Sequence, residues 1–294
     1  MAQSSVFCSI IGRPSMGKST LLNRLVGAKI AITSPKPQTT RTRITGIITE
    51  GEVQYVFCDT PGFHRPRNKL DEHMEKAVLD SSDDVDVALF LTYAKPTLDE
   101  EEQELLANVR ARCIPVVLVV NKLDAAPSKK KARACAEKLC ADYPFDASVC
   151  LSAVTGEGCD GLLELLRQYA AEGPHFFPDD ALTDQPERVI VAELVREQLL
   201  CALRDELPHG CAVSTESFRV REDGIIDIDV LIICEKQSHK GMIIGRHGAM
   251  LKKIATASRL AAEEFLGAHV NLKCYVKVTE GWRNREKELV SLGY

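Results

Sequence analysis

The chain has 294 residues, of which 45% are hydrophobic and 27% charged, with a formal net charge of −5 at pH 7. That length leaves room for two domains, and the composition is ordinary for a soluble globular protein. A net negative charge excludes a general polyanion binder, so any nucleic-acid site has to be a local basic patch, and the longest apolar runs, such as "IPVVLVVN" (114–121), are too short to span a bilayer.

The opening "MAQSSVFCSIIG" lacks a basic start and runs straight into a strand, which predicts no signal peptide. Residues 6–12 predict a buried strand, followed by a glycine loop and a helical pattern, "KSTLLNRLVGAKI" (18–30), with Leu21, Leu22, Leu25 and Val26 on one face. "TGIITEGEVQYVFCDTPG" (45–62) predicts two strands joined by a Glu-Gly turn. "DVDVALFLTYA" (84–94), "IPVVLVVNKLD" (114–124) and "DASVCLSAVTG" (146–156) predict three more strands, with charged helical stretches at 99–112 and 128–142. Strands alternating with helices argue for an α/β domain over 1–172 with a doubly wound, mostly parallel sheet, in which ligands bind beyond the carboxyl ends of the strands. "GPHFFPDDALTDQPE" (173–187) is rich in proline and aspartate, has no periodicity and is expected to be a linker. An α+β domain over 188–294 follows. A helix over about 188–207 leads to two alternating strands within 211–235, a second glycine loop, a helix over 249–266, a strand over 270–278 and a last helix over 281–291. The 11 cysteines are scattered, odd in number and without a C-x-x-C, as expected of reduced thiols in a cytosolic protein.

Chemistry concentrates at the ends of the predicted strands. "GRPSMGKS" (Gly12, Arg13, Pro14, Ser15, Met16, Gly17, Lys18, Ser19) fits G-x-x-x-x-G-K-[ST], and Thr20 extends it into the helix. Backbone N–H groups of such a loop turn inward around α- and β-phosphates, Lys18 supplies a point charge between β- and γ-phosphates, and the Ser19 hydroxyl ligates Mg²⁺. A chance match in a chain this long has odds of roughly 1%. "NKLD" (121–124) ends a hydrophobic strand. Asp124 can accept from N1–H and the 2-amino group of guanine, donors that adenine lacks. Asn121 would reach the base edge and tie down the phosphate loop, and the stem of Lys122 would cover the base. In "DTPG", Asp59 could hold Mg²⁺ through water and the Gly62 N–H could sense a γ-phosphate, with Thr60 and Pro61 between them. "SAV" brings Ser152 and Ala153 to the end of the next strand, where backbone N–H groups could touch guanine O6. "SPKPQTTRTR" (34–43) is polar and proline-broken, as a switch loop should be. Thr39 or Thr40 should bind Mg²⁺ when a γ-phosphate is present, and Thr40 is favoured.

These elements in this order resemble a translation-factor-type GTPase domain. "GRPSMGKSTLLNRLVG", "PQTTR", "DTPGFH", the "HFFPDDALTDQPER" segment and the ending "GW…SLGY" extend the resemblance over essentially the whole chain, to the bacterial Era GTPases. The resemblance implies hydrolysis of GTP to GDP and phosphate with Mg²⁺, and a C-terminal type II KH domain of order αββααβ. A KH domain clamps single-stranded RNA by backing a G-x-x-G loop onto the sugar-phosphate chain. Here that loop is Gly245-Arg246-His247-Gly248, in a stretch that starts at Gly241 and continues to Lys252 and Lys253. From Lys236 to Arg259 there are six Lys/Arg and no acidic residue, a basic patch on an acidic chain. Ile243, Ile244 and Leu251 are expected in the core. The implied partners are the 3′ end of small-subunit ribosomal RNA and the 30S subunit, in the assembly of that subunit, for a cytoplasmic monomer with any inner-membrane contact peripheral.

Two features bear on rate, of which only the second departs from the family. Phe63 follows "DTPG" where a glutamine could orient water, and neither Arg41 nor Arg43 is assigned as an arginine finger, so slow intrinsic hydrolysis is expected. The family usually has Asn at the position of Ser15, and in related GTPases that asparagine helps hold K⁺. A serine is shorter and has one oxygen, which predicts K⁺ stimulation that is weak or carried by backbone carbonyls of the switch loop. Two other classes stay open on the residues alone. One is a GTP-gated module docking on a protein or a membrane, although Glu263 and Glu264 make the 249–266 helix a poor membrane anchor. The other is an ATP-using P-loop kinase, which "NKLD" disfavours.

Overall fold

The computed structural model describes residues 3–34, 36, 38–63, 66–80 and 85–294. They form two compact units: one holds the residues up to Ala31, Thr40–Pro66 and Asp71–Asp184, and the other holds Ile32–Thr39, Arg67–Leu70 and Gln185–Tyr294.

In the first unit the chain runs β1 (Ser4–Gly12), α1 (Lys18–Val26), β2 (Ile44–Glu50), β3 (Val53–Asp59), α2 (Lys69–Asp80, its first turn counted with the second unit), β4 (Val87–Tyr93), α3 (Glu100–Arg110), β5 (Val116–Asn121), α4 (Lys129–Asp142), β6 (Ala147–Cys150), α5 (Cys159–Leu166) and a short β7 (Ala171–Glu172). The sheet order is β2-β3-β1-β4-β5-β6, with β7 beside β1. β1 pairs in parallel with β3 and β4, as do β4 with β5 and β5 with β6, whereas β2 runs antiparallel to β3. Every residue of β5 is buried, because helices cover both faces and no polar alternation is needed. Successive side chains serve opposite cores. Ile10, Leu89 and Val119 meet Leu21 and Leu22 of α1 and Leu162 and Leu166 of α5, while Ile11, Phe90 and Leu118 meet Leu105 and Val109 of α3 and Leu139 of α4. The helix after the phosphate loop stops at Gly27, which takes left-handed φ of 74°, so "AKI" lies beyond it.

α3 opens on a reciprocal cap. The Asp99 carboxylate accepts from the Glu102 N–H (3.1 Å), and the Glu102 carboxylate accepts from the Asp99 N–H (3.0 Å). Asp99 also receives Arg13 at 2.6 Å and Lys95 at 3.2 Å. Asp99→Ala is expected to lower stability by about 1–2 kcal/mol, read as a urea midpoint shift with unchanged m-value.

Most of the aperiodic segment 173–187 lies against the first unit. The buried Gln54 amide oxygen accepts from the Phe176 and Phe177 N–H groups (2.9 and 3.0 Å), and its nitrogen donates to the Phe177 carbonyl (2.9 Å). Further on, the Ile47 N–H donates to the Leu182 carbonyl (2.9 Å) and the Thr183 hydroxyl to the Thr45 carbonyl (2.6 Å). The segment thus covers the free edge of β2.

The second unit runs α6 (Glu187–Ala202), β8 (Ala212–Val220), β9 (Ile226–Cys234), α7 (Gln237–Ile244), α8 (Ala249–Leu266), β10 (Val270–Val278) and α9 (Glu286–Ser291), the expected αββααβ order with one appended helix. The sheet order is β10-β9-β8, with β9 antiparallel to β8 and parallel to β10. Ile228, Val230 and Ile232 of β9 point to one face, against Ile190, Leu194 and Val195 of α6 and Ile254 and Ala262 of α8. Two helices are shorter than their periodicity predicts. α6 ends at Ala202, where Leu203 turns extended, and the last helix starts at Glu286, because Gly281 has φ of 59° and Trp282–Asn284 form a 3-10 turn. Trp282 is fully buried, donates from Nε1 to the Gly210 carbonyl (3.0 Å) and stacks on Tyr294 at 6.0 Å, which gives the "GW…SLGY" ending a packing role.

Candidate functional site

The carboxyl ends of β1, β3, β5 and β6 deliver the predicted motifs to one rim of the first unit. The loop Gly12–Gly17 joins β1 to α1, and no side chain caps α1, which leaves its first N–H groups to a ligand. Gly17 has φ of 93°, and a Cβ there would lie 2.5 Å from Asn121 Nδ2, so only glycine fits. Ser15 also has positive φ (63°). Lys18 is buried, with Nζ donating to the carbonyls of Gly12 (2.9 Å) and Arg13 (3.1 Å). Burial lowers its pKa to about 8, against the opposing charge of Asp59. Thr20 and Met16 are half-buried on α1 and the loop. Arg13 is drawn away from the loop's interior by Asp99 and Glu101, at 2.6 and 3.0 Å.

Behind the loop, Ser19, Thr40 and Asp59 converge. Ser19 Oγ lies 2.8 Å from Thr40 Oγ1 and donates to Asp59 Oδ2 at 2.6 Å, and Thr40 Oγ1 lies 3.4 Å from the same oxygen. Asp59 Oδ1 is buried and accepts no hydrogen bond. Burial raises the Asp59 pKa to about 6, with Lys18 pulling the other way. An orphaned buried carboxylate oxygen beside two hydroxyls fits a hard, oxygen-seeking cation such as Mg²⁺. Among the described residues no group of three or more His, Cys, Asp or Glu could hold a metal ion. Thr39 is directed elsewhere, its Oγ1 donating to the Lys36 carbonyl (2.7 Å).

The third strand end is tied to the loop. Asn121 Nδ2 donates to the Met16 carbonyl (2.9 Å), and Asn121 Oδ1 accepts from the Lys122 and Ala153 N–H groups (2.7 and 3.0 Å). Lys122 Nζ donates to the Ser15 carbonyl (2.8 Å). Ser152 Oγ donates to Asp124 Oδ1 (2.6 Å), orienting an otherwise exposed carboxylate. Sequence reasoning missed Arg24 of α1, whose Nε donates to the Ala153 carbonyl (3.2 Å) and whose Nη2 donates to the Val154 carbonyl. Its only signal was a cation in the last turn of the phosphate-loop helix. In "DTPG", the Thr60 hydroxyl donates to the Ile10 carbonyl (2.8 Å), a Cβ on Gly62 would meet Pro14 at 2.7 Å, and Pro61 and Phe63 are buried. Phe63 therefore belongs to the core and cannot orient water. Arg41 is buried and Arg43 exposed.

In the second unit α7 ends at Gly245, with φ of 73° and ψ of 177°. A Cβ there would lie 2.6 Å from Met250 Cβ and 2.9 Å from its backbone nitrogen, so the loop needs glycine to return onto α8. His247 has φ of 51°, and Gly248 is the left-handed cap of α8 with no side-chain cap bond. Arg246, His247, Lys252 and Lys253 are exposed around these uncapped amides, and Gly241 is exposed one turn before the loop. Ile243 is fully buried, and Leu251 packs against the same core, as expected; Ile244 is half-buried.

Two family models match the chain: "50S ribosome-binding GTPase" over residues 7–122 and "KH domain" over 206–283. The chain is 45% identical to the GTPase Era of Caldanaerobacter subterraneus subsp. tengcongensis, over 100% of this chain and 99% of that protein. It is 47% identical to the GTPase Era of Geobacter metallireducens, over 99% and 97%. Two solved structures are similar at 33% identity and a TM-score of 0.95, each covering 99% of both chains. One is a single-residue variant of Aquifex aeolicus Era bound to GDP and AlF4⁻. The other is Era in complex with MgGDPNP and nucleotides 1506–1542 of 16S ribosomal RNA.

Proposed function

We propose that this chain, which belongs to the Era family of GTPases, is a GTP-hydrolysing switch that binds single-stranded RNA at the 3′ end of small-subunit ribosomal RNA and assists assembly of the 30S subunit. The observation that carries the reading is the convergence of Ser19, Thr40 and the orphaned Asp59 oxygen behind a phosphate loop that Asn121 and Lys122 hold at its Met16 and Ser15 carbonyls. The RNA half is supported by the G-x-x-G loop and by the ligands named for the similar Era structure. In this reading the protein works as a monomer in the cytoplasm. Any membrane contact is peripheral in this reading. Among the described residues no helix is long and apolar enough to cross a membrane.

Each side chain then has a task in GTP + water → GDP + phosphate. Asp124, oriented by Ser152, accepts from the guanine edge. Loop amides and α1 surround the α- and β-phosphates, and Lys18 exchanges its loop carbonyls for β- and γ-phosphate oxygens. Ser19 and Thr40 would hold Mg²⁺, with Asp59 behind them, and that ion supplies charge neutralisation on the phosphates when bound. The Gly62 N–H would sense the γ-phosphate. Phe63, in the core, cannot orient the attacking water, so slow turnover of the isolated protein is the expected result.

The test is single-turnover hydrolysis together with titration of fluorescent RNA from the 3′ end of small-subunit ribosomal RNA. Wild type is expected to hydrolyse GTP slowly and to bind this RNA more tightly with a GTP analogue than with GDP. Thr40→Ala is expected to slow the chemical step by about 10²-fold while GDP affinity stays within about twofold. Hydrolysis indifferent to Thr40, or RNA binding no tighter than to an unrelated strand, would sink the reading.

A further inference from the structure

Arg24 is an exposed cation in the last turn of α1, a place where an arginine complements the helix dipole and is ordinarily solvated. Its guanidinium is instead directed at backbone. Nε donates to the Ala153 carbonyl at 3.2 Å, and Nη2 donates to the Val154 carbonyl. Two donors of one planar fork on consecutive carbonyls fix both peptides at once. The chain then closes around the arginine stem. The Gly156 N–H donates to the Ser152 carbonyl (2.8 Å), and the Ser152 N–H to the Glu157 carbonyl (2.9 Å). Gly156 has φ of 86°, and a Cβ there would lie 3.5 Å from Arg24 Cδ. Arg24, Asp124 and residues 152–157 all belong to the first unit.

The held carbonyls lead to the carboxylate at the end of β5. A trans peptide sets its N–H opposite its C=O. With the Val154 carbonyl on Arg24, the Thr155 N–H of the same peptide points the other way, and there it donates to Ser152 Oγ at 3.2 Å. That hydroxyl donates its own proton to Asp124 Oδ1 at 2.6 Å. Accepting from the backbone leaves the hydroxyl proton free for the carboxylate. Ala153 is fixed from both sides, its N–H on Asn121 Oδ1 (3.0 Å) and its carbonyl on Arg24. Asp124 is exposed, so without the hydroxyl its carboxylate would turn about Cβ–Cγ. A single hydrogen bond survives such a rotation. A two-point contact with N1–H and the 2-amino group of guanine requires both oxygens in the plane of the base.

We propose that Arg24 is a positioning residue for guanine selection: through the Val154–Thr155 peptide and the Ser152 hydroxyl it sets the plane of the Asp124 carboxylate. This rests on the GTPase reading above, in which Asp124 accepts from the guanine edge. Arg24 itself touches no nucleotide and acts through hydrogen bonds in series. Because α1 also carries Lys18 and Ser19, the base-reading carboxylate and the phosphate-binding groups are referred to one rigid helix.

The experiment measures competition of GDP and of inosine diphosphate against a fluorescent guanine nucleotide on the full chain at saturating Mg²⁺. The proteins are wild type, R24A, R24K, S152A, the R24A/S152A double variant and D124N, with melting temperatures alongside. The two nucleotides share ribose and phosphates and differ only in the 2-amino group, so an effect exerted through the phosphate loop cancels in their ratio. R24A is expected to lower the preference for GDP by about fivefold, S152A by a similar factor, and the double variant by no more than either alone. R24K keeps a charge but can hold only one carbonyl well, so it should fall between wild type and R24A. An unchanged preference, whether both nucleotides weaken together or neither moves, marks a purely structural pin and overturns the proposal. Additive losses in the double variant overturn it as well. Where R24A does not fold, R24K decides by the same ratio. If D124N leaves the preference unchanged, the reading of the base site is wrong. If D124N collapses it and the Arg24 variants do not, only the relay is wrong.

Discussion

Asp124→Asn is expected to lower affinity for GTP by roughly three powers of ten and to create affinity for the xanthine nucleotide. A carboxylate at the end of β5 offers two acceptors to guanine, which presents N1–H and a 2-amino group. An amide replaces one acceptor with a donor, so one pair becomes donor against donor. Sites built on a polar pair reject the mismatched partner by about 10⁴ or more, because a desolvated polar group is left unpaired. Xanthine carries a carbonyl where guanine has its amino group, and the asparagine amide can donate to it. The effect should be this large because Asp124 is held rather than free: Ser152 Oγ donates to Oδ1 at 2.6 Å, and Asn121, three residues earlier, is fixed by Met16, Lys122 and Ala153. Competition with GTP, XTP and ATP against a fluorescent nucleotide checks it. Equal weakening of GTP and XTP would mean that Asp124 shapes the loop rather than reads the base. A wild-type preference for GTP over ATP of tenfold or less would reopen the kinase reading.

How much of this was legible in the sequence differs by element, and the reason is physical. The phosphate loop and "NKLD" were readable because their chemistry is local: a few adjacent residues set the turn, and a hydrophobic strand delivers them. Between Thr39 and Thr40 the sequence could favour one without deciding it. Adjacent threonines are equivalent on paper, and only the fold shows the Thr40 hydroxyl beside Ser19 and that of Thr39 on the Lys36 carbonyl. Buried charge carried no local signal either. On an amphipathic pattern Arg196 and Glu197 look like a solvated pair, and only the fold shows them buried. The contacts of segment 173–187 were illegible for a related reason. It has no periodicity because its partners are a strand edge and the amide of Gln54 rather than an apolar face. The second glycine loop lies between these cases. G-x-x-G is common by chance, and it gained meaning from the αββααβ order around it and from the steric need for glycine at 245.

Reversing the charge at that loop is the other large effect. The double substitution Arg246→Asp, His247→Asp is expected to weaken single-stranded RNA binding by about 10²-fold or more, and to flatten its salt dependence. Both side chains are exposed on a loop whose backbone is fixed by two glycines, with the uncapped amides of α8 beside them. Each phosphate neutralised by a cation contributes about −0.7 to the slope of log K against log salt for a single strand. Losing one or two such contacts should therefore reduce the slope by about 0.7–1.4, while the new carboxylates add repulsion. Because neither residue is buried, the melting temperature should be nearly unchanged, which separates lost binding from lost fold. Lys252 and Lys253 stay in place, so residual binding should persist, weak and sequence-blind. RNA affinity and salt slope unaltered in a stable double mutant would demote residues 245–248 to a tight connection between α7 and α8. The search for a ligand of the second unit would then move to protein and membrane partners.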